Sequence, residues 1–275
     1  MEAKLIDIRD FIHDGEGGNG ESLIHRNDSR LLLKLYNSTA PKDLIQNEIA
    51  IAQKVWSLGI PSPKPGEYVT DGNGRYGILF ERLVGKRSFS RAIGDSPEDV
   101  EKYARRFARV CLKLHSVHPP VGMFQDVKEF YRNILKSNAA LYTAEETEKI
   151  NETLDNAPDG DVAIHGDLQF SNALMVGDKD YLIDLGDFCT GAPEFDLGMV
   201  LFTSMYDDEA FLREFYHMEP DTAARFWHFF VKEYYGENAD PDEIEMKLRP
   251  YAMMKLLLIE RNTDCILPHY HWLFK

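Results

Sequence analysis

The side chains from His165 to Asn172, together with Asp184, form the group in this chain whose types and spacing could carry out chemistry. The amide oxygen of Asn172 and a carboxylate oxygen of Asp184 suit Mg²⁺, which takes one or two protein oxygens and leaves its other positions to water and substrate phosphates. Asp167, five residues before Asn172, can accept a proton from a hydroxyl group if it does not bind the metal. These residue types indicate phosphoryl transfer, with Asp167 as the catalytic residue and Asn172 and Asp184 as metal ligands.

The segment between Asn172 and Asp184 has the pattern of a β-hairpin. An apolar run, Ala-Leu-Met-Val, is followed by the turn cluster Gly-Asp-Lys-Asp and a second apolar run, Tyr-Leu-Ile. Because a hairpin folds its two ends back beside each other, we expect Asn172 and Asp184 to share one cation. For each piece alone, an ordinary turn capped by Asp167 and a strand-end role for Asp184 are the alternatives. Both pieces at this spacing favour the chemical interpretation.

The composition is that of a folded globular protein of 275 residues, 44% hydrophobic and 28% charged. The chain has no apolar run of about 18 residues, which predicts no transmembrane helix. Its N-terminus lacks the pattern of a signal peptide, so a cytoplasmic location is expected. Cys111, Cys189 and Cys265 are odd in number and widely spaced. We therefore expect three buried thiols rather than a disulfide framework or a zinc site.

A glycine-rich stretch near the start of the chain lies within a β pattern. Three strands are predicted, over residues 5–12, 21–26 and 30–36. A glycine-rich link, residues 13–20, joins the first two. Residues 15–20 match G-x-G-x-x-G, but a dinucleotide-binding turn is followed by a helix, and a strand pattern follows here. A glycine loop inside a hairpin can instead place its backbone N–H groups over nucleotide phosphates, which points to Gly17, Gly18 and Gly20. A flexible surface hairpin is the alternative.

Lys34 is the only charge inside the third predicted strand, where residues alternate between the two faces. A lysine at the edge of a sheet commonly reaches into solvent. The next predicted helix begins near Pro41, with Ser38 or Thr39 as its cap, and ends at Gly59.

Glu48 falls in the middle of the apolar face of that helix. At about 100° per residue, one continuous arc contains Leu44, Ile45, Ile49, Ile51, Ala52, Val55 and Trp56. A buried carboxylate is costly unless it is paired, and Lys34 is the cation that could pair with it. We therefore predict a Lys34–Glu48 ion pair, with a protonated or solvent-reaching Glu48 as the alternative.

From Ser96 onward the pattern becomes helical. Ser96 starts a helix whose apolar stripe comprises Val100, Tyr103, Ala104, Phe107, Cys111 and Leu114. His115 and His118 are predicted only to end that helix, and further helix is predicted over 127–155. The aromatic clusters between 226 and 235 are predicted to be core.

The motif His165-Gly-Asp-Leu-Gln-Phe-Ser-Asn172, followed by Ile183-Asp-Leu-Gly-Asp187, resembles the catalytic loop and metal-binding Asp of the protein-kinase-like superfamily. Gly166 stands where protein kinases have Arg, and Leu185 where they have Phe. This form is similar to the aminoglycoside phosphotransferase and choline kinase family, which phosphorylates small molecules. The resemblance implies a two-lobed α+β fold. A small antiparallel β lobe, 1–82, would bind nucleotide, and a larger, mainly helical lobe, 83–275, would hold the catalytic and acceptor sites.

The resemblance also implies roles for individual residues. ATP or GTP would be the phosphate donor with Mg²⁺ as cofactor, and Lys34, paired with Glu48, would bind the nucleotide phosphates. By position, the backbone from Glu81 to Leu83 would contact the adenine. Asp196 would brace the catalytic loop, with helix capping as its alternative, and Asp187 would assist the metal.

The distribution of charge bears on the partners. The net charge of −15 argues against nucleic acid and anionic membrane. Residues 1–82 carry 10 Lys and Arg against 12 Asp and Glu, so −13 belongs to residues 83–275. This acidity gives a solvated surface and would also attract a cationic amino sugar or amino alcohol. In the acidic region after residue 206, charge alone predicts four acceptor-binding residues: Asp207, Asp208, Glu260 and Asp264. The alternative is that they are solvated residues at the ends of helices.

The sequence thus predicts an ATP-dependent phosphotransferase that acts on the hydroxyl group of a small molecule. An inactive kinase-like nucleotide-binding protein is the main alternative, disfavoured because Asp167, Asn172 and Asp184 are all present. A kinase acting on polypeptides is disfavoured by Gly166 and by the absence of an Ala-Pro-Glu activation segment.

Overall fold

The computed structural model describes residues 2–17, 20–263 and 266–274. The chain divides into two compact units, one formed by Met1–Lys86 and Leu174–Gly186 and the other by Arg87–Ala173 and Asp187–Lys275. The first contains a sheet with one helix and the second is mainly helical, which confirms the predicted α+β class. The functional lobes 1–82 and 83–275 remain predictions, since a division by packing does not test which part binds nucleotide.

The first unit is built on a six-stranded sheet with the order β1-β5-β6-β4-β3-β2. Its strands are β1 (Lys4–Leu5), β2 (Phe11–Gly17), β3 (Gly20–His25), β4 (Leu31–Tyr36), β5 (Pro65–Thr70) and β6 (Tyr76–Glu81). All neighbouring strands are antiparallel except β1 and β5, which are parallel. The hairpin predicted after Asn172 is present as β9 (Ala173–Val176) and β10 (Lys179–Leu182).

The central strand β4 carries apolar side chains on both faces, as its alternation predicts. Leu33 and Leu35 are fully buried in a cluster on one face, with partners Phe11, Leu23, Val69 and Leu79. On the other face Tyr36 packs with the helix residues Ile45 and Ile49. Since burying a leucine side chain contributes about 1.5–3 kcal/mol, β4 is well suited to hold Lys34 at a defined position.

The helix α1 (Lys42–Ser57) carries the buried residues Ile45, Glu48, Ile49, Ile51, Ala52 and Val55. It ends where predicted, before Gly59 at φ +75°. The predicted cap was wrong: Pro41 occupies the cap position without a side-chain hydrogen bond. Leu44 and Trp56 are 49% and 45% exposed, contrary to prediction. Both residues lie in the terminal turns of α1. The prediction failed there because periodicity shows which face of a helix is apolar, but not how far along the helix that face is covered by other residues.

The first predicted strand, 5–12, is interrupted. A 3₁₀ turn at Ile8–Asp10 separates β1 from β2, because the Asp7 side chain accepts a hydrogen bond from the Arg9 N–H and caps that turn. The stretch predicted as a glycine-rich link instead belongs largely to β2, whose residues pair with β3 as far as Gly17 opposite Gly20.

The second unit consists mostly of helices. They are α2 (Phe89–Asp95), α3 (Val100–Leu114), α4 (Val127–Ser137), α5 (Ala144–Asn156), α6 (Glu194–Leu201), α7 (Glu209–Phe211), α8 (Pro220–Tyr235) and α9 (Pro241–Thr263). Short strands are β7 (Arg87–Ser88), β8 (Val162–Ile164) and β11 (Cys189–Gly191), of which β8 and β11 pair antiparallel. The helix α2, capped by Ser88, was not predicted because its seven residues are too short for a clear period.

An aromatic core confirms the predicted stripe of α3 and the predicted core role of the aromatics on α8. Phe107 of α3 lies 5.7 Å from Phe226 and 6.1 Å from Phe230 of α8, measured between ring centroids. Burial raises the pKa of Cys111 and Cys189, as expected of buried thiols. Cys265 lies outside the described residues. Within the described ranges, no helix has the length and apolarity needed to span a membrane.

Candidate functional site

In the first unit, Lys34 of β4 contacts two carboxylates. Its Nζ lies 2.7 Å from Oε1 of Glu48 and 2.8 Å from Oδ1 of Asp184. Glu48 is 8% exposed, so the predicted ion pair with Lys34 is confirmed. Burial alone would lower the pKa of the Lys34 ammonium, but the charges of Asp184 and Glu48 outweigh it and raise the pKa well above its usual value. Lys34 is therefore a permanent cation between two carboxylates.

Asp184 has an unusual backbone conformation at the end of the hairpin. Its φ is +60°, in the left-handed region, which a non-glycine residue enters at a cost of about 1–3 kcal/mol. Its side chain is 56% exposed although it contacts Lys34. Such strain is retained where the surrounding structure needs that orientation, which is consistent with a functional carboxylate.

Three other residues predicted for the nucleotide site, Gly17, Gly20 and Glu81, lie at strand ends. Gly17 and Gly20 close the β2–β3 hairpin, and Gly18 lies outside the described residues. A Cβ on Gly20 would lie 2.2 Å from the Leu35 carbonyl oxygen, so strand packing requires glycine there whatever it binds. In the segment predicted to contact the adenine, the Glu81 N–H donates to the Lys64 carbonyl at 2.9 Å, and Leu83 is buried.

In the second unit, Asp167 is held by three side chains. Nδ2 of Asn172 donates to the Asp167 carbonyl at 2.8 Å and to Oδ2 of its carboxylate at 3.2 Å. Nε2 of Gln169 reaches the same Oδ2 at 3.3 Å, and Nζ of Lys255 binds Oδ1. The Asp167 side chain is 21% exposed. Because the amide nitrogen of Asn172 is used in these bonds, its oxygen is the atom suited to a metal.

The loop that carries Asp167 is braced by Asp196, at the start of α6. The fully buried Asp196 accepts hydrogen bonds from the His165 N–H at 2.8 Å and the Gly166 N–H at 3.0 Å, as the resemblance implied. His115 was wrongly predicted only to end α3. It is buried, with Nε2 3.1 Å from Oδ2 of Asp196 and Nδ1 2.8 Å from the Tyr234 hydroxyl. It therefore links the brace to α8.

Gly166 lies where the loop passes closest to Asp187. Its φ is +84°, and a Cβ there would lie 2.1 Å from the Asp187 carbonyl oxygen. This contact explains why no arginine stands at this position of the motif. The Asp187 side chain itself forms a two-pronged ion pair with Arg261, at 3.1 and 3.0 Å, which disfavours the predicted assistance to a metal.

Gly166→Ala is expected to lower kcat at least tenfold and the free energy of unfolding by about 2–3 kcal/mol, since the new Cβ adds a backbone clash to the strain of positive φ. Urea unfolding and steady-state kinetics would measure both. Gly122→Ala is the matched control, since Gly122 has φ +77° and nothing lies within 4 Å of a Cβ there. Equal effects of the two substitutions would contradict the importance of the Asp187 contact.

Three of the four acidic residues predicted from charge alone, Asp207, Asp208 and Glu260, have structural partners. Asp208 caps α7 by accepting from the Ala210 N–H, so helix capping explains it. Burial raises the pKa of Asp207 to about 6, although a hydrogen bond from the Tyr270 hydroxyl acts in the opposite direction. Glu260 is fully buried and binds Nε2 of His271 at 2.9 Å, so it does not face an acceptor. Asp264 lies outside the described residues.

His271 joins the C-terminal turn (Pro268–Phe274) to two helices. Its Nδ1 lies 2.7 Å from Oε1 of Glu146 on α5, and its Nε2 binds Glu260 on α9. Burial opposes the charged imidazole, but the hydrogen bonds to Glu260 and Glu146 outweigh it and raise the pKa of His271. Its stabilising charge is therefore fully present below the usual value of 6.5 and is lost as pH rises through the raised pKa.

His271→Gln is expected to lower the free energy of unfolding by about 2 kcal/mol at pH 5.5, because the substitution removes the hydrogen bonds that the charged imidazole makes at that pH. The difference from wild type should shrink as pH rises through the raised pKa. Denaturant unfolding between pH 5.5 and 9 would measure it. His269→Gln, in the same turn but exposed, is the control. A difference that does not change with pH would contradict a charged His271.

The residues that sequence reasoning missed lie far along the chain from the motif. Lys255, a cation between the apolar runs Ala-Met-Met and Leu-Leu-Leu of α9, carries the same signal that identified Glu48. Tyr216, whose hydroxyl binds Oε1 of Gln169, gives no such signal. The predicted residues fall into two sets. Lys34, Glu48 and Asp184 meet in one unit, and Asp167 and Asn172 meet in the other. A metal shared by Asn172 and Asp184 therefore stays a prediction.

A model of a phosphotransferase enzyme family, APH, matches residues 16–226. The chain belongs to this family. Membership confirms the predicted resemblance and the predicted enzyme class, a small-molecule kinase. The matched region includes both the Lys34–Glu48 pair and the loop that carries Asp167. A comparison with curated protein sequences found no match.

Solved structures similar to this phosphotransferase have the same fold. An aminoglycoside-3′-phosphotransferase of type VIII is 21% identical, with 87% of this chain and 92% of that chain covered and a TM-score of 0.57. A thermostable mutant of aminoglycoside phosphotransferase APH(4)-Ia, in ternary complex with ADP and hygromycin B, is 13% identical, with 96% and 90% covered and a TM-score of 0.64. A choline/ethanolamine kinase family protein from Mesorhizobium loti is 19% identical, with 92% and 80% covered and a TM-score of 0.57.

Proposed function

We propose that this phosphotransferase moves the γ-phosphate of ATP or GTP to the hydroxyl group of a small-molecule acceptor, with Mg²⁺ as its cofactor. The observation that carries the proposal is the partly exposed Asp167 carboxylate, held by side chains from its own loop and from α9. A carboxylate in a fixed orientation that remains open to solvent is suited to accept a hydroxyl proton.

The nucleotide is assigned to the first unit. The Lys34 ammonium, oriented by Glu48, provides the positive charge for nucleotide phosphates. Gly17, Gly18 and Gly20 would contact the phosphates through their backbone. The Glu81 N–H is already bonded to Lys64, so the Glu81 carbonyl and the Leu83 N–H are the groups proposed to recognise the adenine.

The donor set fits a hard cation. We propose the Asn172 amide oxygen and the Asp184 carboxylate as its ligands, because Mg²⁺ takes such oxygen atoms together with phosphates and water. Within 2–17, 20–263 and 266–274, no cluster of three His, Cys, Asp or Glu side chains fits a metal ion. Bound Mg²⁺ would neutralise charge on the transferring phosphate.

Asp167 is proposed to accept the proton of the acceptor hydroxyl as the oxygen attacks the γ-phosphorus. The O–H bond breaks, an O–P bond forms, and the bond between the γ-phosphorus and the bridging oxygen breaks to release the nucleoside diphosphate. Because the attacking oxygen and the base must be in place together, most of the rate enhancement is expected from orientation and electrostatics.

For the acceptor we propose a cationic amino sugar or amino alcohol. The support is the acidity of residues 83–275, which carry −13 of the net charge. An acidic surface raises the local concentration of a cationic ligand. The similar fold that was solved with ADP and hygromycin B agrees with that class of acceptor.

Screening acceptors by ATP consumption in the presence of Mg²⁺ tests the proposal. The panel contains aminoglycosides, choline-like amines, sugars and homoserine-type alcohols, with product detected by mass spectrometry as a gain of one phosphate. Phosphorylation of a cationic acceptor is the expected result. Nucleotide binding without transfer or ATP hydrolysis would instead support the alternative, an inactive nucleotide-binding protein.

A further inference from the structure

Lys255 is a buried cation in a buried stretch of α9. It is 7% exposed, and its neighbours Met253, Met254, Leu256 and Leu257 are fully buried. Removing an ammonium from water costs several kcal/mol even after relaxation of the protein, and an apolar residue at this position would avoid that cost. The side chain therefore needs a compensating partner.

That partner is the Asp167 carboxylate. Lys255 Nζ binds Oδ1 of Asp167 and lies 3.4 Å from Oε1 of Gln169. Gln169 in turn donates Nε2 to the other oxygen of Asp167, at 3.3 Å, and accepts the Tyr216 hydroxyl. Tyr216 is 1% exposed, so this ring of contacts is anchored in the core. Both carboxylate oxygens of Asp167 are thereby engaged.

The other charged groups near this ring have partners of their own. Asp207 is close enough for its charge to interact with that of Lys255, but its Oδ1 accepts from the Tyr270 hydroxyl at 3.0 Å. Arg261, six residues after Lys255 on the same helix, pairs with Asp187. Among the described residues, Asp167 is the carboxylate with which Lys255 forms an ion pair.

We propose that Lys255 is a positioning residue for phosphoryl transfer, whose ammonium holds the Asp167 carboxylate in the orientation that accepts the acceptor proton. This inference rests on the proposed function. The proton from the acceptor hydroxyl goes to Asp167, and Lys255 takes no part in the proton transfer. The ammonium also offsets the repulsion between the Asp167 carboxylate and the incoming phosphate, so its effect is expressed in the transition state.

A stabilising role alone explains the pair poorly. Buried ion pairs are often no more stabilising than apolar residues of the same size. The presence of Lys255 beside the proposed base is therefore better explained by an effect on that base than by stability. A role through Asp167 makes two specific demands. Loss of Lys255 must lower kcat rather than raise KM, and it must have little effect once Asp167 can no longer act as a base.

Lys255→Met, which keeps the length and removes the charge, is expected to lower kcat roughly 100-fold, as misplacement of a reacting group by about 1 Å does. KM for ATP and for the acceptor should change less than about threefold, because neither ligand is bound through Lys255. Lys255→Arg keeps the charge and should recover about tenfold of the lost rate. Lys247→Met, at an exposed lysine of the same helix, is the matched control. If Lys255→Met does not fold, Lys255→Gln replaces it.

A double-mutant cycle separates this role from a structural one. With Asp167→Asn as the background, Lys255→Met should cost less than about threefold, because the two residues act as a unit. Rates are expressed per nucleotide-binding site, so that a loss of folded protein does not count. An unchanged kcat in Lys255→Met, or an equal cost in both backgrounds, would overturn the inference and leave the proposed function standing. No transfer by wild type would overturn both.

Discussion

Asp167→Asn is expected to nearly abolish phosphate transfer, with a loss of about 10²–10⁴-fold in kcat, while nucleotide binding is retained. The amide has the shape of the carboxylate and its oxygen can still accept from Lys255, but it cannot take up a proton. General-base catalysis contributes about 10²–10⁴-fold, so the loss should lie in that range. Steady-state kinetics with the acceptor found by screening, together with calorimetric titration of ATP, would measure the two properties separately.

The control for this variant is Asp161→Asn, at a carboxylate of the same unit that is 81% exposed and pairs with His118 on the surface. It should retain wild-type kcat and nucleotide affinity. Full activity in Asp167→Asn would contradict its role as base. A parallel loss of nucleotide binding would indicate that Asp167 supports the nucleotide site instead.

Asp184→Asn is expected to raise the Mg²⁺ concentration needed for half-maximal nucleotide binding roughly 100-fold. The value of kcat/KM for ATP should fall accordingly. The neutral amide is a poorer ligand for a hard cation than the carboxylate. Asn is chosen because Asp184 has φ +60°, a conformation that Asn adopts more readily than most residues. Fluorescence titration of a labelled nucleotide at several Mg²⁺ concentrations would measure the shift.

Asp178→Asn, in the exposed turn of the same hairpin, provides the control and should leave the Mg²⁺ dependence unchanged. In Asp184→Asn, Lys34 keeps its ion pair with Glu48, so binding of the nucleotide without metal should be little affected. An unaltered Mg²⁺ titration would contradict Asp184 as a ligand. Because Asp167→Asn should leave that titration intact, the two variants separate the base from the metal site.

Local periodicity was sufficient for much of the first unit. The alternation of β4 and the position of α1 follow from side-chain direction, which a strand or helix repeats at a known period. The same reasoning identified Glu48 as a buried carboxylate and Lys34 as its partner, at a separation of only 14 residues. It failed at Leu44 and Trp56, whose exposure depends on which residues face the ends of α1. It also failed at the first predicted strand, which a single capping hydrogen bond to Asp7 interrupts.

In the second unit, the motif located the loop, and the resemblance implied that Asp196 braces it. The further contact of Asp196 with His115, at the end of α3, was not predicted, because only the packing of the helices brings His115 to Asp196. Charge alone also misidentified Glu260, because a carboxylate paired inside a core looks the same in sequence as one that faces a ligand.

The reaction class could be predicted from sequence alone, because His165 to Asn172 and Asp184 bring together, within twenty residues, the residue types that suit a magnesium site and a general base. The sequence also determined the Lys34–Glu48 pair, because a buried charge in a short, regular segment has few possible partners. The contact between Lys255 and Asp167, 88 residues apart, became visible only in the folded chain. Periodicity shows that a residue is buried, whereas the packing of remote helices determines which group it meets.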